Sequence, residues 1–314
     1  MIRLRTWVDG WWFAPAPPAR LAVVRVLTGL FAVWYITQHG RWLARYEGQP
    51  ASVFTPVGLT SHLSGPLAPE TTAALGIATM VAGLMFTLGL LWRLSGPAFA
   101  GLLLYTMTYR NSWTMIFHHE NMLVLHVVVL GLVPAAGAWA LDPWLRRRWP
   151  ALRWLGAAPA QDDRPRWQAG WALRMLQVGA TVPYVVAGVA KLRSEAGWAW
   201  ALGDNLRDQV LMNGIYYELL RGGAAQITTA IVHWSFIWTP LAVVTLIVEL
   251  GCPLALLGGR WAAGIVLALI GLHWGIIGIM GIVFPYQLCG VAFACFVPWE
   301  RLLRYRAHSP TSIQ

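Results

Sequence analysis

The chain contains one lysine, Lys191, and its other 22 basic residues are arginine. Lys191 closes an apolar run, AGVAKL, and RSEAGWAWALGD follows it. Arginine stays protonated in proteins, whereas a lysine in dry surroundings can lose its proton and serve as a base. Residues that could assist such a base stand in equally apolar settings. His118, His119, Glu120 and Asn121 follow NSW, His126 comes two turns after His119, Glu249 lies within TLIVELG and His273 within ALIGLHWG. Ionisable groups inside apolar spans are costly and are functional candidates by default. A lysine, imidazoles and a carboxylate together suit proton abstraction, with a base, a hydrogen-bonding helper and a group that holds charge.

Each of these residues also has a structural reading. Lys191 can snorkel to an interface and pair with Glu195 one turn later. His126 can be a satisfied histidine of a helix bundle, and Arg25 and Arg174 read as structural. Glu249 and His273, both deep in apolar segments, are expected to bond each other or a ligand. Metal chemistry is not expected. There is no HExxH or CxxC spacing, adjacent His118 and His119 point apart on a helix, and Cys252, Cys289 and Cys295 all sit in apolar runs.

Positioning these residues is a task for a membrane bundle. The chain has 314 residues, 57% hydrophobic and 11% charged, with mean hydropathy +0.54. Soluble domains carry about 25% charged residues. The 20 tryptophans fit headgroup-depth anchoring. The net charge of +10 comes from arginines at the ends of apolar segments, which argues for topology signals and against nucleic-acid binding.

Apolar stretches long enough to cross a bilayer are expected at 21–38, 71–91, 94–109, 119–139, 168–190, 231–257, 262–281 and 284–299. They define an all-α polytopic bundle of about eight transmembrane helices. Residues 1–20 form an interfacial N-terminal segment without the pattern of a cleaved signal peptide, 21–300 the membrane domain, and 301–314 a short cytoplasmic tail. With that topology fourteen basic residues lie on the side of the termini and seven opposite, with Arg25 and Arg174 inside spans. The positive-inside rule then places both termini in the cytoplasm of a plasma (inner) membrane protein. Lys191, the His118–Asn121 cluster, Glu249 and His273 fall toward the outer face. The outer loops, roughly 39–70 and 191–230, are expected to fold back as short helices.

An ordered set of motifs resembles the horizontally transferred transmembrane (HTTM) domain and, within it, the vitamin K-dependent gamma-carboxylases. The set runs from PAPPARLAVVRVLTG through LGLLWRLSG, NSW with the histidine cluster, and WALD. It continues with AGVAKL followed by Trp200 to Gly203, then Glu249, His273 and FPYQL. The resemblance covers residues 17 to 300. It implies that Lys191 is the base that deprotonates a reduced vitamin K or menaquinol cofactor, with His119 assisting. His118, which stands where the family has Asn, Asn121, Trp200, Glu249, His273 and Tyr286 are implied as substrate-contacting residues. The implied chemistry is oxygen-dependent quinol epoxidation coupled to carboxylation or another proton abstraction, with no metal. Implied partners are membrane lipid or quinone and a peptide or protein at the outer face. The carboxylases carry a soluble domain after the bundle, and this sequence runs fourteen residues past Glu300, so the second substrate stays open. A lipid-binding or peptide-maturation module without catalysis is the rival expectation.

Overall fold

The computed structural model describes residues 2–39, 46, 48–113, 116, 118–158, 164–221 and 226–302. Helices dominate, and no strand occurs among the described residues. An antiparallel bridge joins Ala16 and Arg166. The helices are α1 (Ile2–Trp12), α2 (Pro18–His39), α3 (Pro69–Leu88), α4 (Trp92–Asn111), α5 (Asn121–Leu132) and α6 (Asp142–Arg148). They continue with α7 (Trp167–Arg193), α8 (Asp204–Arg221), α9 (Gln226–Ile231), α10 (Ser235–Gly251), α11 (Gly259–Met280) and α12 (Pro285–Leu288). Two compact units result. One comprises Met1–Leu176 with Val297–Gln314, the other Gln177–Phe296, and the boundary falls within α7.

Five helical segments are long and apolar enough to cross a membrane: Pro18–Gln38, Pro69–Leu88, Trp167–Arg193, Ser235–Leu257 and Gly259–Met280. The other three expected spans take different forms. Residues 94–109 lie in α4, which is 20 residues long and carries Arg93 and Arg110 near its ends. Range 119–139 holds the 12-residue α5, which stops at an extended Val133 because the residue before Pro134 is driven out of the helical region. Range 284–299 consists of α12 and a 3-10 turn, Val291–Phe296. The two long segments expected as outer loops do contain short helical elements, 3-10 turns at Ala51–Val53, Gly58–Thr60 and Gly197–Leu202 and the helices α8 and α9.

In the first unit α2, α3, α4 and α5 pack side by side. Two buried charges organise one end of it. Arg25 is fully buried and donates to the carbonyls of Ala135 (3.1 Å), Ala138 (3.4 Å) and Trp139, so the structural reading of Arg25 holds. The Asp142 carboxylate accepts from the backbone N–H groups of Leu91 (2.7 Å), Trp92 (3.0 Å) and Ala157 (2.6 Å). It therefore caps the start of α4 from another segment, supplying the orphan donors of a helix N-terminus with a negative acceptor. Arg174 stacks over Trp11 at 4.6 Å.

Arg20, near the start of α2, forks onto Glu300, with Nε to Oε2 at 2.8 Å and a second nitrogen on Oε1. Those hydrogen bonds hold the Glu300 carboxyl below its ordinary value of 4.5. A depressed folded-state pKa gives stability that is present above the unfolded value and lost as pH falls through the folded one. The melting temperature in detergent should therefore drop as pH falls below about 5, and Glu300→Gln should shrink that drop. Equal pH slopes for the two proteins would dismiss this contribution.

In the second unit a small core of Trp200, Ala242 and Leu246 joins the 197–202 turn to α10. Gly203 ends that turn at φ +96°, and a Cβ there would lie 2.3 Å from the Trp238 carbonyl carbon. Both the left-handed backbone and the close approach require glycine at this point.

Candidate functional site

Tyr184, Gly188 and Lys191 recur at spacings of four and three, so they share one face of α7. A Cβ on Gly188 would meet the Leu250 side chain at 2.8 Å and Glu249 Cβ at 3.3 Å. This glycine lets α10 come close enough for its carboxylate to reach the lysine one turn further on. Lys191 Nζ donates to Glu249 Oε1 at 2.7 Å and Oε2 at 2.8 Å, with 23% and 8% of the two side chains exposed. The ammonium nitrogen also sits 5.3 Å from the centre of the Trp200 ring, whose residue is buried. Lys191 therefore bonds Glu249 across helices, and the expected local pairing with Glu195 gives way to it.

His273 is buried on α11, and its Nε2 lies 2.7 Å from the Tyr184 hydroxyl. Its ring lies 4.7 Å from that of Phe284. The expected Glu249–His273 bond is replaced by these two pairs, Lys191–Glu249 and Tyr184–His273. His273 Nδ1 is buried without a hydrogen-bond partner among the described residues. Tyr184 escapes a reading by residue type, because tyrosine in an apolar helix is unremarkable. Its register with Lys191 is the signal that could have singled it out. Tyr286 is buried in α12.

Beside this cluster, α8, α10 and α11 enclose a cavity of about 300 Å³ whose walls include Leu206, Val210, Val248, Leu272 and Ile276. Trp238 also lines it, and its indole Nε1 is buried without a hydrogen-bond partner among the described residues. Lys191 and Glu249 are not wall residues, although Val248 directly precedes Glu249.

His119 belongs to the first unit, where a second polar cluster forms. Glu120 is 3% exposed, and its Oε1 accepts hydrogen bonds from the Tyr35 hydroxyl and from Arg110. His119 Nε2 lies 3.4 Å from the Tyr35 hydroxyl and 3.5 Å from that same carboxylate oxygen. The sequence shows His119 and Glu120 but not their partners. Tyr35 is hidden in an apolar helix, and Arg110 reads as a topology charge. The His118 side chain lies outside the described residues. Asn121 starts α5 and is exposed. His126 is buried with Nε2 at 3.2 Å from the Leu176 carbonyl, which is the satisfied bundle histidine foreseen as the plainer reading.

These features define a helical membrane protein with a lysine–carboxylate pair held among apolar segments. A family model described as the HTTM domain matches residues 13–257, and the chain belongs to that family. HTTM domains occur in vitamin K-dependent carboxylase-like membrane proteins. No curated protein and no solved structure matches the chain.

Proposed function

We propose that this HTTM protein is a quinol-handling membrane enzyme in which the Lys191–Glu249 pair removes a quinol hydroxyl proton. The observation that carries the proposal is the two-pronged bond between Lys191 Nζ and Glu249, at 2.7 and 2.8 Å. An ammonium tied to a carboxylate in a partly dry setting can pass its proton along that bond, leaving a neutral amine beside a neutral acid. Desolvation brings the charged and neutral forms of such a pair close in energy. The amine then accepts the hydroxyl proton and becomes an ammonium again, while Glu249 keeps the proton it took from the lysine. The lone lysine fits this role because arginine could make the same bond but could not give up its proton.

Reduced vitamin K or a menaquinol would supply reducing equivalents to oxygen and leave as the epoxide, coupled to carboxylation or another proton abstraction. The residues suit such a molecule. The cavity walled by Leu206, Val210 and Ile276 would accept an isoprenoid tail; Trp238 Nε1 in its wall and His273 Nδ1, neither with a hydrogen-bond partner among the described residues, would offer hydrogen bonds to ring oxygens. We assign His119 as helper, with His118, Asn121, Trp200, His273 and Tyr286 as substrate-contacting residues. The topology that goes with this reading has about eight spans, both termini in the cytoplasm and the reacting groups toward the outer face of the plasma membrane. A peptide or protein there would be the second substrate.

The test is turnover. Purified protein in detergent, given menaquinol under oxygen and carbon dioxide, should form quinone epoxide detectable by mass spectrometry. Absence of epoxide, with intact protein and no co-purified quinone, would reject the enzyme. A second reading is favoured by the same ion pair, because two helices bridged by a lysine–carboxylate pair also describe a module that binds lipid or assists peptide maturation or export without catalysis. Co-purified lipid without turnover would favour it.

A further inference from the structure

We infer that the first unit carries a binding site for the headgroup of an anionic phospholipid, at the end where α2, α4 and α7 begin and α5 ends. A cavity of about 510 Å³ opens there, and Arg93, Arg166 and Gln168 line it together with an apolar wall of Pro97, Leu132 and Val133. No acidic residue is among its described lining residues. A site with two guanidinium groups, an amide and apolar walls suits a phosphate that carries acyl chains better than a fully solvated ion. Arginine's planar fork matches phosphate oxygens, and basic pockets at helix ends take anionic lipid headgroups.

The backbone of each arginine is held in place, and so is the Arg93 side chain. The Arg93 backbone N–H donates to the Leu155 carbonyl at 2.9 Å, and one of its guanidinium nitrogens bonds the Trp154 carbonyl at 3.3 Å. Arg166 exchanges two backbone hydrogen bonds with Ala16, at 2.9 and 3.2 Å. The apolar wall is open to the surroundings, since its Leu132 and the neighbouring Leu94 are 67% and 52% exposed. Around the site the chain exposes Trp144, Trp149, Trp154 and Trp167, the residue type that settles at headgroup depth. Arg146, Arg147, Arg148 and Arg153 stand among them. The depth, the charge and the apolar continuation together select a phospholipid over a soluble phosphate. This inference is independent of the quinol reading and uses none of its residues.

Native mass spectrometry of the full chain in detergent tests it, with phosphatidylglycerol or phosphatidylcholine added. Wild-type protein should retain phosphatidylglycerol with a preference of roughly tenfold or more, because two basic residues near a membrane surface together contribute about thirtyfold in affinity for anionic lipid. The double variant Arg93→Gln/Arg166→Gln should fall to near parity between the two lipids. Arg93→Lys/Arg166→Lys should keep most of the preference, and Arg260→Gln, an exposed arginine of the second unit, should leave it unchanged. If the double glutamine variant does not fold, each single variant should lose about fivefold. Equal retention of both lipids by the wild type would overturn the inference, as would an undiminished preference in folded glutamine variants. Displacement of the lipid by excess inorganic phosphate would overturn it in favour of a soluble-anion site.

Discussion

Lys191→Ala is expected to abolish epoxide formation from reduced menaquinone, a loss of at least ~10²-fold, the usual contribution of a positioned proton-transfer group. The same change should destabilise the protein, because the Glu249 side chain is 8% exposed and would lose the lysine that bonds both its oxygens. Breaking a buried pair from one side costs about 3–5 kcal/mol. Loss of activity alone would therefore prove little, and two further variants separate the effects. Lys191→Arg keeps the charge and a fork able to bond Glu249 but cannot deliver a neutral nitrogen, so it should fold and stay inactive. Lys191→Ala/Glu249→Gln removes both charges, so it should regain most of the lost thermal stability and remain inactive. Measurable turnover by folded Lys191→Arg would sink the proton-transfer role and leave the pair as a bridge between α7 and α10.

The second large effect is expected at the other polar cluster. Arg110→Leu removes the cation beside Glu120, whose side chain is 3% exposed and whose Oε2 already lacks a hydrogen-bond partner among the described residues. The Tyr35 hydroxyl and the more distant His119 ring would then be left with a buried carboxylate. The expected cost is about 3–5 kcal/mol, seen as a fall in melting temperature of roughly 5–10 °C. Arg110→Leu/Glu120→Leu should recover much of it, since removing a whole buried pair is far milder than halving one. A melting temperature for Arg110→Leu within a degree or two of wild type would show that the cluster is hydrated and contributes little. The pair of variants also tests His119, which lies 3.5 Å from Glu120. If the histidine depends on this carboxylate for its orientation, the folded double variant should lose turnover even with Lys191 intact.

The helical membrane class was legible in composition, and the motifs running from PAPPARL to FPYQL carried the family. Lengths were less legible. A hydropathy run does not register that Pro134 ends α5, or that 284–299 closes into two short turns. The individual residues divide the same way. Apolar surroundings were enough to mark Lys191, Glu249, His273 and His119 as candidates, because ionisable groups are expensive there wherever the chain goes.

Their partners were another matter. Lys191 could have turned to Glu195 within its own helix, and it bonds Glu249, 58 positions away. His273 could have met Glu249, and it meets Tyr184. Asp142 looked like part of a motif and proves to cap α4. Sequence by itself determined which groups could not be left in an apolar setting unaided. Which hydrogen bond satisfied each one was decided by helix crossings such as that at Gly188. A side-chain bond is a matter of a few tenths of an ångström, and residue type and spacing along the chain do not define that distance between separate helices.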